Sequence, residues 1–139
     1  MTDTDITIHE NELTAEEFTA LFTSVGWTPP CVGQVRAALA GSLAVFSAEC
    51  RGKTAAMARV TGDGAMTFFI KDVAVAPEFQ GKGLGKLLIS LAEDYIANQL
   101  RPGWAASAEL MSAPGKEGFY KKCGFSDKCG TGMMKMIRR

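Results

Sequence analysis

The sequence predicts an α/β fold with a mixed, mostly antiparallel sheet flanked by helices, and three observations carry that prediction. Leu43–Cys50, Thr54–Thr61 and Ala65–Val75 are β-rich runs joined only by Arg51-Gly52-Lys53 and Gly62-Asp63-Gly64. Such turns make consecutive strands antiparallel. A helical pattern then places Leu84, Leu87, Leu88, Leu91, Tyr95 and Ile96 on one face, and a further β-rich run, Trp104–Met111, follows it. A strand reached through a helix pairs in parallel by a right-handed crossover. Finally, 139 residues with 47% hydrophobic and 22% charged content fit one folded domain over residues 1–139, without repeats or linkers.

Taken in order, Ile6 and Ile8 alternate with Thr7 and His9, predicting a first strand over about Asp5–Glu10 with His9 on its solvated face. Thr14 and Glu17 have capping-box spacing, Leu13, Phe18, Leu21, Phe22 and Val25 supply the stripe of the helix they open, and Gly26 stops it. Trp27-Thr28-Pro29-Pro30 is a turn, with Trp27 either a core plug or a wall of a cleft. A second helix runs from Cys31 to Ala40, with Val32, Val35, Ala38 and Leu39 as its apolar side. The meander and the long helix follow, the helix ending at Arg101-Pro102-Gly103. Beyond the strand at Trp104–Met111 lie a loop over residues 112–115, a short helix over Lys116–Lys122 stopped by Gly124, and a closing strand at Met133–Ile137.

Several function classes lose support at this level. A formal net charge of zero gives no electrostatic basis for nucleic-acid or anionic-membrane partners. No apolar run approaches the ~18 residues of a membrane span. Met1–Asp5 is acidic and lacks the basic start and apolar core of a signal peptide, so the expected location is cytoplasmic. Cys31, Cys50, Cys123 and Cys129 form no C-x-x-C pair, and with His9 as the one histidine no metal site is expected. Cys123, near the site described next, is expected to be a structural thiol rather than a reactive one.

The chemistry gathers between Asp72 and Leu88. A strand ending in Val73-Ala74-Val75-Ala76-Pro77 runs into Gln80-Gly81-Lys82-Gly83-Leu84-Gly85-Lys86, and a helix starts at once. Glycines at a helix N-terminus expose backbone N–H groups where unsatisfied donors and the helix dipole favour an anion, and Lys82 and Lys86 add charge. The spacing is that of neither common nucleotide loop. A Walker A loop requires glycine where Gln80 stands and Ser or Thr where Leu87 stands, and the dinucleotide fingerprint requires its third glycine one residue after Gly85.

Gln80 to Gly85, after a Val-x-Val-x-Pro strand end, resembles the acetyl-CoA signature of the GCN5-related N-acetyltransferase (GNAT) family. Gly118-Phe119-Tyr120-Lys121-Lys122-Cys123-Gly124-Phe125 is similar to the family's Phe-Tyr-x-x-x-Gly-Phe segment. The resemblance covers residues 43 to 137 well and the N-terminal helices loosely. It implies the GNAT fold with its central strands splayed apart, and acetyl-CoA as co-substrate in the gap. Main-chain groups of Val73, Ala74 and Val75 would hold the pantetheine arm and an oxyanion. Those of Gln80, Gly81, Lys82, Gly83, Leu84, Gly85 and Lys86 would hold the pyrophosphate, with Lys116 near the far end. Tyr120 is the implied general acid for the departing thiolate. The acidic residue or histidine that some members carry just before the Val-x-Val is absent. Phe68, Phe69, Ile70 and Lys71 fill that region, leaving Asp72, Glu109 or water as base.

Gly26-Trp27, the run from Gly52 to Gly64 and Lys71-Asp72-Val73 also look like a subgroup containing plant and cyanobacterial arylalkylamine (serotonin-type) acetyltransferases. The implied activity is N-acetylation of a small primary amine, with a homodimer as a prior for small enzymes. A non-catalytic acyl-CoA-binding regulatory domain and a protein-lysine acetyltransferase stay open as alternatives.

Overall fold

The computed structural model describes residues 5–139, so the acidic start at Met1–Thr4 lies outside the described residues. Five strands form one sheet in sequence order: β1 (Ile6–Glu10), β2 (Ala44–Cys50), β3 (Lys53–Gly62), β4 (Thr67–Val75) and β5 (Ser107–Glu109). The first four are antiparallel to their neighbours, and β5 pairs parallel with β4. Helices α1 (Ala15–Ser24) and α2 (Val32–Gly41) precede the meander, α3 (Leu84–Gln99) links β4 to β5, and α4 (Glu117–Lys122) follows β5.

Burial explains why the middle strands are apolar throughout rather than at alternate positions. Ala44 to Ala48 and Ala55 to Ala58 are buried without interruption, which requires cover on both faces of the sheet. Helix α3 packs on β2, β3 and β4 through Leu84, Leu88, Ile89, Ala92 and Ile96, and α1 packs on β3 and β4 through Ala15, Phe18 and Leu21. Small residues in the strands let the layers approach. Helix α2 is lightly anchored, with Val35 its one buried side chain among the described residues.

The local signals act as the sequence predicts. Thr14 Oγ1 accepts from the Glu17 N–H at 3.1 Å, and Glu17 Oε1 accepts from the Thr14 N–H at 3.0 Å. Glu17 also accepts from Thr54 Oγ1 at 2.8 Å, tying the helix start to β3. These hydrogen bonds, led by that from the Thr14 backbone, hold the Glu17 carboxyl below its ordinary value. Its stabilising effect is therefore present above the ordinary carboxylate range and is lost as pH falls through the lowered value. Thr14→Ala removes the cap and is expected to cost about 1 kcal/mol, read as a melting temperature lower by roughly 3–5 °C.

Two strand expectations are corrected. Trp104–Met111 shortens to Ser107–Glu109, and residues 133–137 form no strand. Both regions have strand composition, but β5 is the edge of the sheet, and no neighbour extends it on its outer side among the described residues. His9 also departs from its solvated role. It is half-buried, with Nδ1 at 2.8 Å from Glu12 Oε2 and Nε2 at 3.7 Å from Glu49 Oε1. Trp27 packs edge-on against Phe22 at 5.0 Å, as a plug between helix and turn.

Candidate active site

The β4–β5 pairing covers only Thr67↔Ser107, Phe68↔Ala108 and Phe69↔Glu109. From Ile70 to Val75, β4 continues without β5 beside it, so that side of the strand is free of ladder pairing. The register against β3 also breaks there. Met57 faces Ala74 and Arg59 faces Lys71, so Asp72 and Val73 stand opposite the single residue Ala58. This is a β-bulge, which takes backbone groups out of the ladder and re-aims side chains. Asp72 takes φ +56° to make it, a conformation that Asp tolerates better than bulky residues.

A part-buried ion pair holds the bulge. Arg59 Nε lies 2.8 Å from Asp72 Oδ2, with the side chains 13% and 10% exposed. Arg59 Nη1 donates to Ser42 Oγ at 3.2 Å, and Ser42 Oγ donates to Ala38 O at 2.7 Å. The pair thus links β3, the β4 bulge and the C-terminal end of α2. Sequence reasoning did not single out Arg59 or Ser42. The available signal was one arginine inside the apolar run from Ala55 to Val60, since a charge there needs a partner.

At its C-terminal end β4 runs through Pro77–Phe79 into the glycine loop. Gln80 Nε2 donates to Val75 O at 2.9 Å, so this side chain staples the loop to the strand end. Gly81 and Gly83 have φ of +77° and +83°, and a Cβ at either would meet no atom within 4 Å. The backbone is therefore turned as only glycine readily allows, with open space before it, at the first turn of a 16-residue helix. Lys82 and Lys86 are exposed, and the Leu84 side chain is buried, leaving only its main chain to serve the loop. Beside the loop, Arg51, Lys53, Glu78, Phe79 and Lys82 line a cleft of about 270 Å³.

Gly85 has a different role from the other two glycines. A Cβ there would lie 3.2 Å from Phe119 Cζ and 3.8 Å from Val75 Cγ2. The missing side chain lets the α4 ring reach the start of α3 and the end of β4. Phe119 meets Tyr120 edge-on at 5.0 Å, and Tyr120 meets Phe125 at 6.2 Å. The two sequence motifs therefore touch, and Tyr120 is fixed on the aromatic group beside the loop. Burial, followed by the neighbouring Cys123, pushes the Tyr120 hydroxyl above its ordinary value. It keeps its proton at neutral pH and can act as a donor. Burial also pushes the Cys123 thiol up, with Glu93 adding and Lys86 opposing, which disfavours a reactive thiolate.

The remaining candidates are less integrated. Lys116 is the N-cap of α4, its carbonyl accepting from the Tyr120 N–H at 3.2 Å, and its side chain is exposed. Glu109 is exposed at the end of β5, where it accepts from Ser107 Oγ at 2.7 Å. Val73 and Val75 are half-buried and Ala74 buried along the free part of β4.

The family model described as "Acetyltransferase (GNAT) domain" matches residues 41–127, a stretch that contains both motifs. Among curated relatives, an "Uncharacterized N-acetyltransferase ycf52" of Pyropia yezoensis is 33% identical over 126 residues, covering 87% of this chain and 70% of the relative. The Arabidopsis thaliana "GCN5-related N-acetyltransferase 1, chloroplastic" is 34% identical, covering 91% and 64%. The rice "Serotonin N-acetyltransferase 2, chloroplastic" is 30% identical, covering 76% and 53%. The chain therefore spans between 53% and 70% of the length of these relatives. A solved Staphylococcus aureus protein of unknown function, described as a probable acetyltransferase, superposes with a TM-score of 0.83 at 25% identity, covering 96% of this chain and 99% of that one. No helix among the described residues is long and apolar enough to cross a membrane.

Proposed function

The chain belongs to the GNAT acetyltransferase family, and on that premise we propose that it transfers an acetyl group from acetyl-CoA to the primary amine of a small molecule, with Tyr120 as general acid. The observation that carries this reading is the contact of the two motifs, with Phe119 seated over Gly85 and Tyr120 beside it. The loop fits a diphosphate: Gly81 and Gly83 present main chain to open space at a helix N-terminus, with Lys82 and Lys86 alongside. When bound, acetyl-CoA would supply the activated acetyl group. Main-chain groups of Gly81 to Lys86 would grip its pyrophosphate, those of Val73 to Val75 its pantetheine arm, with Lys116 near the end of the site. Tyr120 would hold a proton at Oη and release it as the thiol leaves.

Asp72 Oδ2 accepts from Arg59 Nε at 2.8 Å, which ties one oxygen of the carboxylate to β3. We assign it to holding the bulge, and the incoming amine loses its proton to water or Glu109. A small aromatic amine is the favoured acceptor class, supported by the rice relative's name. Thiol release from acetyl-CoA, followed across tryptamine-like amines, aliphatic amines and lysine peptides, tests the reading. Turnover on the aromatic amines is expected. Turnover only on peptides would move the assignment to protein lysine. Saturable CoA binding without turnover on any acceptor would favour a regulatory domain, and absence of CoA binding would remove the cradle argument.

A further inference from the structure

His9, the one histidine of the chain, is only half satisfied by its own fold. Nδ1 lies 2.8 Å from Glu12 Oε2. An ionised carboxylate only accepts, so the proton sits on Nδ1, and Nε2 of the neutral ring carries a lone pair. Nε2 is buried and has no hydrogen-bond partner. Glu49 Oε1, 3.7 Å away, is a second acceptor and cannot supply the missing donor. Ser47 pairs across the strands with His9, which puts both side chains on one face of the sheet. It is 5% exposed, the one buried polar residue among those described, and its hydroxyl bonds no other described residue. His9 and Ser47 line a cleft of about 200 Å³ with Glu12, Glu17 and Glu49, and Leu13 and Ala48 add apolar wall.

We propose that this cleft binds a small primary ammonium cation, at a place separate from the candidate active site. A primary ammonium carries three N–H donors. The cleft offers it three acceptors that lack a donor: His9 Nε2, Glu49 Oε1 and Ser47 Oγ. One nitrogen about 2.9 Å from each of two atoms 3.7 Å apart makes two ordinary hydrogen bonds. Charge selects a cation over a neutral donor. Three carboxylates line the cleft, and no lysine or arginine among the described residues does. Water would satisfy the hydrogen bonds and leave those carboxylates uncompensated. No three of the described His, Cys, Asp or Glu residues are grouped to hold a metal ion, so the cation is one that binds through N–H groups. The cleft stands on β1, β2 and the start of α1, whereas the glycine loop follows β4 and Tyr120 lies on α4. An ammonium held between His9 on β1 and Glu49 on β2 would fasten the edge strand to its neighbour.

A single histidine makes the test specific, because an untagged chain with isotope-labelled histidine shows one imidazole in its nuclear magnetic resonance spectrum. At about pH 8, where an ordinary imidazole is neutral, the ring should show Nδ1 protonated and Nε2 bare. Propylammonium chloride, added at constant ionic strength, should shift the Nε2 resonance saturably in the millimolar range, the affinity open to so few atoms. Tetramethylammonium has the charge but no N–H, and it should leave Nε2 where it was. Glu49→Gln keeps the shape and removes the charge, and it should weaken propylammonium binding about 10-fold. Propylammonium should also raise the melting temperature of the parent chain, and raise that of Glu49→Gln less. Four results would overturn the proposal: an imidazole already protonated on both nitrogens at that pH, since Nε2 would then itself be a donor; no saturable shift with propylammonium; an equal response to tetramethylammonium, the mark of a general cation effect; or undiminished binding in Glu49→Gln.

Discussion

Tyr120→Phe is expected to lower kcat for amine acetylation by about 100-fold or more, the range over which a positioned general acid contributes. The substitution removes one oxygen and leaves the ring, so the edge-on contacts with Phe119 at 5.0 Å and Phe125 at 6.2 Å survive. Acetyl-CoA affinity and thermal stability should therefore stay close to those of the parent. That separation of effects carries the meaning: a tyrosine that merely packed would lose little in either. The pH dependence gives a second readout. Burial raises the Tyr120 hydroxyl above its ordinary value of 10.0. The acid is competent while protonated, so any alkaline fall in kcat due to Tyr120 should be centred at higher pH than an ordinary tyrosine hydroxyl would give. In Tyr120→Phe that limb should vanish. A variant retaining full kcat would remove Tyr120 from the mechanism, leaving the thiolate to depart unprotonated.

Arg59→Ala carries the largest expected loss of stability. It leaves Asp72 as an unpaired, nearly buried carboxylate at a strained φ of +56° and strips Ser42 of its donor. Breaking a mostly buried pair from one side costs up to about 3 kcal/mol, or roughly 10 °C in melting temperature for a chain of this size. Arg59→Lys should recover part of this, since an ammonium cannot reproduce both guanidinium bonds. Asp72→Asn separates structure from chemistry, because Asn tolerates the positive φ while losing the charge. If Asp72 holds the bulge, this variant should melt earlier and, well below that temperature, keep kcat within about 10-fold, less than a general base contributes. A fall of several hundred-fold in kcat at unchanged melting temperature would instead make Asp72 the base.

Much of the fold was legible in local pattern. The capping box at Thr14, the turns at Arg51-Gly52 and Gly62-Asp63-Gly64, and the amphipathic run from Leu84 all depend on residues close in sequence. Asp63 shows why the second turn reads so clearly, since its carboxylate accepts from the Ala65, Met66 and Thr67 N–H groups at 2.8–3.0 Å. The candidate site was legible as two motifs, but their relationship was not. Gly81, Gly83 and Gly85 look alike in sequence. Two of them turn the backbone before open space, and the third makes room for a ring from α4. That distinction depends on a contact across 34 residues of chain, from Gly85 to Phe119.

By itself, then, the sequence determined the order and kind of most elements, the glycine loop at the head of α3 and the presence of a tyrosine motif beyond β5. Propensity, periodicity and turn chemistry act over a few residues, so they survive the loss of three-dimensional context. Only the tertiary structure decided that Asp72 sits on a bulge in the grip of Arg59, that Phe119 rests over Gly85, and that residues 133–137 form no strand with any of the described residues. Each of these is set by register and packing between distant segments. A one-residue offset between β3 and β4 is enough to create the bulge, and no pattern within either strand encodes that offset.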